Sequence, residues 1–290
     1  MRIVYHLGAH FTDEERLLKC LLANRDALAD HSIAVPPTRR FRALLRDTAI
    51  RLKGDAATIE EQALILEEIM AEDKADRLIL SWDSFMALPT WAMKKSLYPS
   101  AGGRVRAFSQ IFPQIDAEFH LAIRSPATFV PLLYDRLKPE SYEAFMEGTD
   151  LFALRWSVVI RRIRDANPQA PLTVWCDEDT PLIWPEVLRA VSGLPADVPL
   201  TGEDELLATL MSGEGMVRLS AYLDKHPPQN ILQRRRVVSA FLDKFALPER
   251  INMNIEMPGW TDEVVAHLNA LYEADVAEIA GMDGVDFMAP

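Results

Sequence analysis

Cysteine is almost absent from this chain: Cys20 and Cys176 are too few and too far apart for a disulfide framework or a zinc-ligand spacing, and they read as buried thiols. Long apolar runs are missing as well. No stretch approaches the roughly 20 residues of a membrane-spanning helix, and Met1-Arg2-Ile3-Val4 leads straight into a strand pattern instead of a signal-peptide architecture. The expected location is the cytoplasm, with no membrane partner. Positive charge is in short supply, with 31 Lys and Arg against 43 Asp and Glu and a net charge of −12 at pH 7. A field of that sign repels nucleic acid and anionic surfaces. The arginines that do cluster, Arg39, Arg40, Arg42 and Arg46 and the run Arg234-Arg235-Arg236, read as solvated helix faces. The chain has no internal repeat and no low-complexity tract.

What is present is ample apolar material, 49% of 290 residues, arranged in two alternating periods. Short runs rich in β-branched and aromatic residues at 2–7, 33–35, 77–82, 117–124 and 171–176 are separated by stretches of helical period. That alternation predicts an α/β fold, a mostly parallel central sheet covered by helices on both faces. From Gly193 onward, glycines and prolines punctuate shorter helices. The expected organisation is an α/β core over 1–193 and a helical C-terminal extension over 194–290 packing on it. The last helix, near 261–279, carries Val264, Leu268, Tyr272, Val276 and Ile279 on one stripe. Such a helix covers a sheet or pairs with another subunit, so a homodimer stays open.

The stretch from Arg2 to Asn24 organises the rest. A strand to Leu7, a small-residue turn at Gly8-Ala9-His10 and a helix through Leu17, Leu18, Leu21 and Leu22 make a strand, loop and helix in which the helix start offers free N–H groups to an anion. Thr12-Asp13-Glu14-Glu15 fits a capping box, with the Thr12 hydroxyl accepting from the Glu15 N–H and the Glu15 carboxylate reaching back. Asp13 and Glu14 add negative charge where the helix dipole favours it. The chain's own carboxylates then stand where an incoming phosphate would, and a dianion meets three acids.

This stretch resembles the first motif of the bacterial sulfotransferase-like proteins, H-x-G-x-H-K-T-G-T-T-S-h-Q-x-x-L-x-x-N, in His6, Gly8, His10, Thr12, Leu21 and Asn24. In that family the K-T-G-T-T part wraps the phosphosulfate of the donor 3′-phosphoadenosine 5′-phosphosulfate (PAPS) as a P-loop would. Here the lysine falls on Phe11, the glycine on Asp13 and the two threonines on Glu14 and Glu15. The family's 3′-phosphate motif, R-D-P-x-x-x-x-x-S-x-Y after a strand, is matched by Arg124, Pro126 and Tyr134, with Ser125 and Leu132 in place of the aspartate and serine. Glu178-Asp179 matches the end of the family's Y-E-D sequence, and Ser81-Trp82-Asp83-Ser84 is a partial match to another strand end.

The resemblance implies a P-loop-type sulfotransferase fold. It also implies a donor site over Gly8, Ala9, His10, Thr12, Arg124 and Tyr134, with PAPS as cofactor where that site works. One reading is a sulfotransferase-like protein without PAPS-dependent transfer, which binds a small molecule or a protein or serves assembly or regulation, and in which Arg124 pairs internally with Asp13 or Glu14. The alternative is an active sulfotransferase acting on a hydroxyl of a carbohydrate or small molecule, with His10 or Glu14 as general base. A third is a metal-assisted hydrolase using His6, His10, Asp13 and the cluster Asp177 to Asp179; no metal spacing requires it. In the plainer account, Asp83 or Ser84 and Asp179 or Thr180 cap helices.

Overall fold

The computed structural model describes residues 1–71, 74–251, 253, 255 and 257–290. Among them six strands form one sheet in the order β2-β3-β1-β4-β5-β6, every pairing parallel. Strand β1 (Arg2–His6) sits centrally and is buried from Ile3 onward. Two helices, α1 (Arg16–Ala23) and α2 (Arg25–Asp30), carry the chain to β2 (Ile33–Ala34). The sequence suggests one helix here, and Asn24 explains the break: its side chain donates to the Cys20 and Thr201 carbonyls and accepts from the Thr201 N–H, which anchors the turn to a distant loop.

The hairpin of α3 (Thr38–Leu52) and α4 (Ile59–Met70) leads to β3 (Arg77–Ser81), and α5 (Ala101–Ser109) precedes β4 (Asp116–Ile123). A true capping box opens α4, where Thr58 and Glu61 exchange side-chain and backbone bonds. Gly102 lies inside α5 because α8 crosses there: a Cβ at this position would lie 2.2 Å from the Arg162 carbonyl oxygen. Helices α6 (Pro126–Leu137), α7 (Tyr142–Met146) and α8 (Trp156–Ala166) lead to β5 (Leu172–Cys176). Then come α9 (Thr180–Ser192), α10 (Glu205–Leu210), α11 (Gly213–Lys225), α12 (Ile231–Phe245), α13 (Pro248–Ile251) and α14 (Asp262–Ala280).

Beyond residue 193 the chain is mainly helical, and it also supplies β6 (Val285–Phe287), which pairs with β5 and is absent from the sequence reading. A three-residue strand with one aspartate gives almost no periodic signal. Helix α14 packs on α6, α8 and β6, so its apolar stripe covers the core. Its Asp275 carboxylate is buried and accepts from the N–H groups of Trp156 and Ser157, which satisfies the start of α8.

One sheet face packs under α1 and α9 through Val4, Ile79, Ala122 and Trp175. The same face carries a polar row in register across four strands, Ser81, His6, His120 and Thr173. His6 Nδ1 lies 2.9 Å from Ser81 Oγ, and the His6 ring stacks on Trp175. His120 Nε2 lies 2.7 Å from Glu118, whose carboxylate also takes two bonds from Arg77. Arg77 in turn donates to the Ala190 and Val191 carbonyls at the end of α9, tying sheet to helix.

Candidate functional site

Chain direction sets the site. From β1 the chain passes to β2 on one side, whereas from β4 it passes to β5 on the other, so the carboxyl ends of the neighbours β1 and β4 flank the crevice where parallel α/β sheets bind ligands. The loop 7–15 after β1 and the loop 124–125 after β4 form its walls. Gly8 turns the first loop with φ +50°, and a side chain there would press on the Asp83 backbone at 3.3 Å. Phe11, Glu14 and Glu15 also adopt left-handed backbone, with φ of 67°, 50° and 64°. Each costs about 1–2 kcal/mol relative to glycine.

The capping box expected over Thr12 to Glu15 does not form. The left-handed Glu15 delays α1 to Arg16, and the Thr12 hydroxyl donates to the Ala9 carbonyl instead of accepting from Glu15. Asp13 takes over the cap: its Oδ2 accepts from the Leu17 N–H at 3.0 Å. A side-chain carboxylate of the loop thus occupies one of the helix-start amides that an anion would use. Glu14 is exposed and pairs with Arg16 at 3.1 Å.

Arg124 closes the crevice. Its guanidinium donates to the Phe11 carbonyl on the opposite wall, to Asp177 Oδ2 at 3.2 Å and to Thr128 Oγ1 at 2.9 Å. The internal partner is therefore Asp177, at the end of β5, and not Asp13 or Glu14, because the guanidinium turns toward the strand-end loop beside its own. Burial pushes the Asp177 carboxyl up to about 8, against the opposing pull of Arg124. Glu178 accepts from the Ser125 N–H at 2.8 Å and from the Tyr272 hydroxyl at 3.0 Å, while the Ser125 hydroxyl reaches Asn269. Of the three acids after β5, Glu178 thus ties the loop after β4 to α14, while Asp177 holds Arg124. Among the described residues no group of three His, Cys, Asp or Glu side chains is arranged to hold a metal ion.

His10 is buried against Tyr98, ring on ring at 5.7 Å. Its backbone N–H donates to the Tyr98 oxygen at 3.0 Å, and its Nδ1 lies 2.7 Å from the same oxygen. Burial holds Tyr98 far above its usual range, so the phenol keeps its proton, and His10 Nδ1 is the acceptor it reaches. Nε2 then carries the imidazole proton, buried without a partner among the described residues. Burial lowers the His10 pKa, with Asp83 opposing, and keeps the ring neutral. The loop over 87–100 is packed into the core through Ala92, Met93, Leu97 and Tyr98.

The site residues expected from the sequence therefore divide. Gly8, Ala9, Thr12 and Glu14 line a small cavity of about 70 Å³ together with His6, Ser81 and Asp83. Thr12, Glu14 and Arg124 line a larger one of about 340 Å³, closed by Asp177, Trp184, Thr209 and Arg250. His10 lies in the loop wall on Tyr98. Tyr134 is set apart: it lines a different cavity with Pro131, Asp135 and Lys138 and packs edge-on against Phe145, so it does not join Arg124.

The helix caps differ as well. Asp83 accepts from Ser84 in a turn that precedes no helix of its own, while Asp179 stands at the N-cap of α9 without a side-chain capping bond and Thr180 donates to the Cys176 carbonyl. Arg234 and Arg235 are half-buried in ion pairs with Asp204 and Glu186 instead of forming a solvated face. The residues that sequence reasoning missed are Tyr98 and the polar side of α14. Asp275 could have been noticed: it falls at helical spacing with Leu268, Tyr272 and Ile279, a carboxylate inside an apolar stripe.

No family model matches this chain, and no curated protein or solved structure matches it.

Proposed function

We propose that this chain is a sulfotransferase-like binding protein that does not transfer sulfate from PAPS and holds a small polar molecule at the carboxyl edge of its sheet. The observation that carries this reading is Arg124, bonded at once to the Phe11 carbonyl and to Asp177 across the crevice a donor would enter. A nucleotide phosphate would have to break both contacts and then approach Asp13, Glu14 and Glu15 with no lysine in the loop.

The state of His10 supports the same conclusion. With Nδ1 taken by the Tyr98 hydroxyl and Nε2 protonated, the ring has no free lone pair with which to accept a substrate proton. Glu14 is solvated and paired with Arg16 at 3.1 Å. The ligand's place is the 340 Å³ cavity beside the closed crevice, whose size lies within the range of small-molecule sites and whose wall mixes arginines, carboxylates and threonines. Buried thiols at Cys20 and Cys176, each pushed up to about 12, support a reducing, cytoplasmic setting.

Calorimetric titration with 3′-phosphoadenosine 5′-phosphate, the desulfated donor, tests the proposal. The expected result is no heat of binding at about millimolar nucleotide. Micromolar binding that Arg124→Ala abolishes would overturn it.

A further inference from the structure

The cavity of about 340 Å³ beside the crevice has three arginines and three acids on its wall, and their pairing leaves a remainder. Glu14 takes Arg16 at 3.1 Å, and Asp177 takes Arg124 at 3.2 Å. Asp13 and Arg250 are left over. Among the described residues Asp13 has no ion pair: its Oδ2 caps α1 through the Leu17 N–H, and its Oδ1 has no donor. The Arg250 guanidinium is exposed and makes neither an ion pair nor a hydrogen bond among them. The two stand on different walls, Asp13 in the loop after β1 and Arg250 on α13, and they do not reach each other.

Most of the remaining wall is apolar or internally bonded. Pro181 and Trp184 of α9 and Leu206 and Leu210 of α10 supply hydrocarbon, and the Trp184 indole N–H already donates to the Gly202 carbonyl at 3.0 Å. The Thr12 and Thr209 hydroxyls donate to the carbonyls of Ala9 and Leu206, at 2.8 and 2.7 Å, so each oxygen offers the cavity only its lone pairs. The wall thus presents one unpaired carboxylate, one unpaired guanidinium, spare acceptors and an apolar patch.

On the reading that this cavity is the ligand's place, we propose that the ligand is a free amino acid with an apolar side chain, its ammonium on Asp13 and its carboxylate on Arg250. The side chain then rests on Pro181, Trp184 and the leucines of α10. Other small polar molecules leave a charge unanswered. Phosphate or sulfate would set its charge beside Asp13 and Glu14, a simple amine gives Arg250 no partner, and a simple carboxylate gives Asp13 none. A guanidinium meets a carboxylate through two parallel N–H bonds, which fixes the orientation, while ammonium hydrogens find Asp13 Oδ1 and the Thr12 oxygen. Size sets the upper limit. The cavity lies near the low end of the ~300–1,000 Å³ of small-molecule sites, which suits one amino acid and not a peptide, whose two terminal charges stand further apart.

Calorimetric titration of the full chain near neutral pH with L-leucine, leucinamide and isocaproate tests this. Leucine carries both charges, leucinamide only the ammonium and isocaproate only the carboxylate. Leucine is expected to bind at least about tenfold more tightly than either. Arg250→Gln is expected to weaken leucine about tenfold and to leave leucinamide unchanged. Asp13→Asn, whose amide oxygen can keep the bond to the Leu17 N–H, is expected to weaken leucine and leucinamide and to leave isocaproate unchanged. A loss of folding would not produce that crossed pattern. Leucine binding no tighter than its two fragments, silence from all three compounds, or a variant that weakens every compound alike or none would each overturn the proposal. Titration with 3′-phosphoadenosine 5′-phosphate then tells two failures apart: silence leaves the cavity a binding site without its amino acid, and micromolar binding through Arg124 removes both.

Discussion

Arg124 and the carbonyl of Phe11 are bonded across the gap between the ends of β4 and β1. The bond joins the two loops that a ligand at this switch point would part, and the same guanidinium nitrogen also donates to Asp177 on a third loop. Removal of the guanidinium by Arg124→Ala leaves a buried carboxyl and a backbone carbonyl without their donor. The expected loss of stability is about 2–3 kcal/mol, read as a lower urea midpoint with unchanged slope. A change under about 0.5 kcal/mol would mean that the crevice is not held shut by this residue.

Asp177 gives the protein a pH dependence of defined sign. Its folded pKa, about 8, lies above the ordinary carboxylate value, so the folded state holds a proton that the unfolded chain releases between about pH 4 and pH 8. This contribution is most favourable at low pH and declines as pH rises through that window, by up to about 1.4 kcal/mol per unit. Asp177→Asn removes the titration. Its melting temperature should fall less than that of wild type between pH 6 and pH 8, and parallel curves for the two proteins would refute the assignment.

Glu15 opens α1 with φ 64°, exposed and without a capping bond from its side chain. Glycine adopts that conformation without steric penalty, so Glu15→Gly is expected to stabilise by about 0.5–1 kcal/mol even though glycine is the more flexible residue when unfolded. A lower melting temperature would show that the loop is not strained there.

The sheet was legible in the sequence because its inner strands are buried on both faces and read as unbroken apolar runs, as at Leu78-Ile79-Leu80 and Val174-Trp175-Cys176. The bounds of α14 followed from periodicity to within a residue or two. The site was only partly legible. That Arg124 pairs internally could be anticipated from the acids opposite it, but the choice of Asp177 depends on how three strand ends fan out, which no local pattern encodes. Tyr98 binds His10 from a loop 88 positions away with no periodic context. Three left-handed residues without glycine left no mark either, since ordinary side chains stand where the backbone is unusual.

The sixth strand carries a consequence for how the molecule is made. Leu172 pairs with Val285, 113 positions further on, so β6 docks only after a long excursion through six helices. Contacts of such span form late in folding. Until then β5 presents a bare edge of unpaired amides and carbonyls, a template for another molecule's strand. Freshly synthesised or partly unfolded chains are thus most prone to aggregate along that margin, and any change that loosens α14 from the core prolongs the interval.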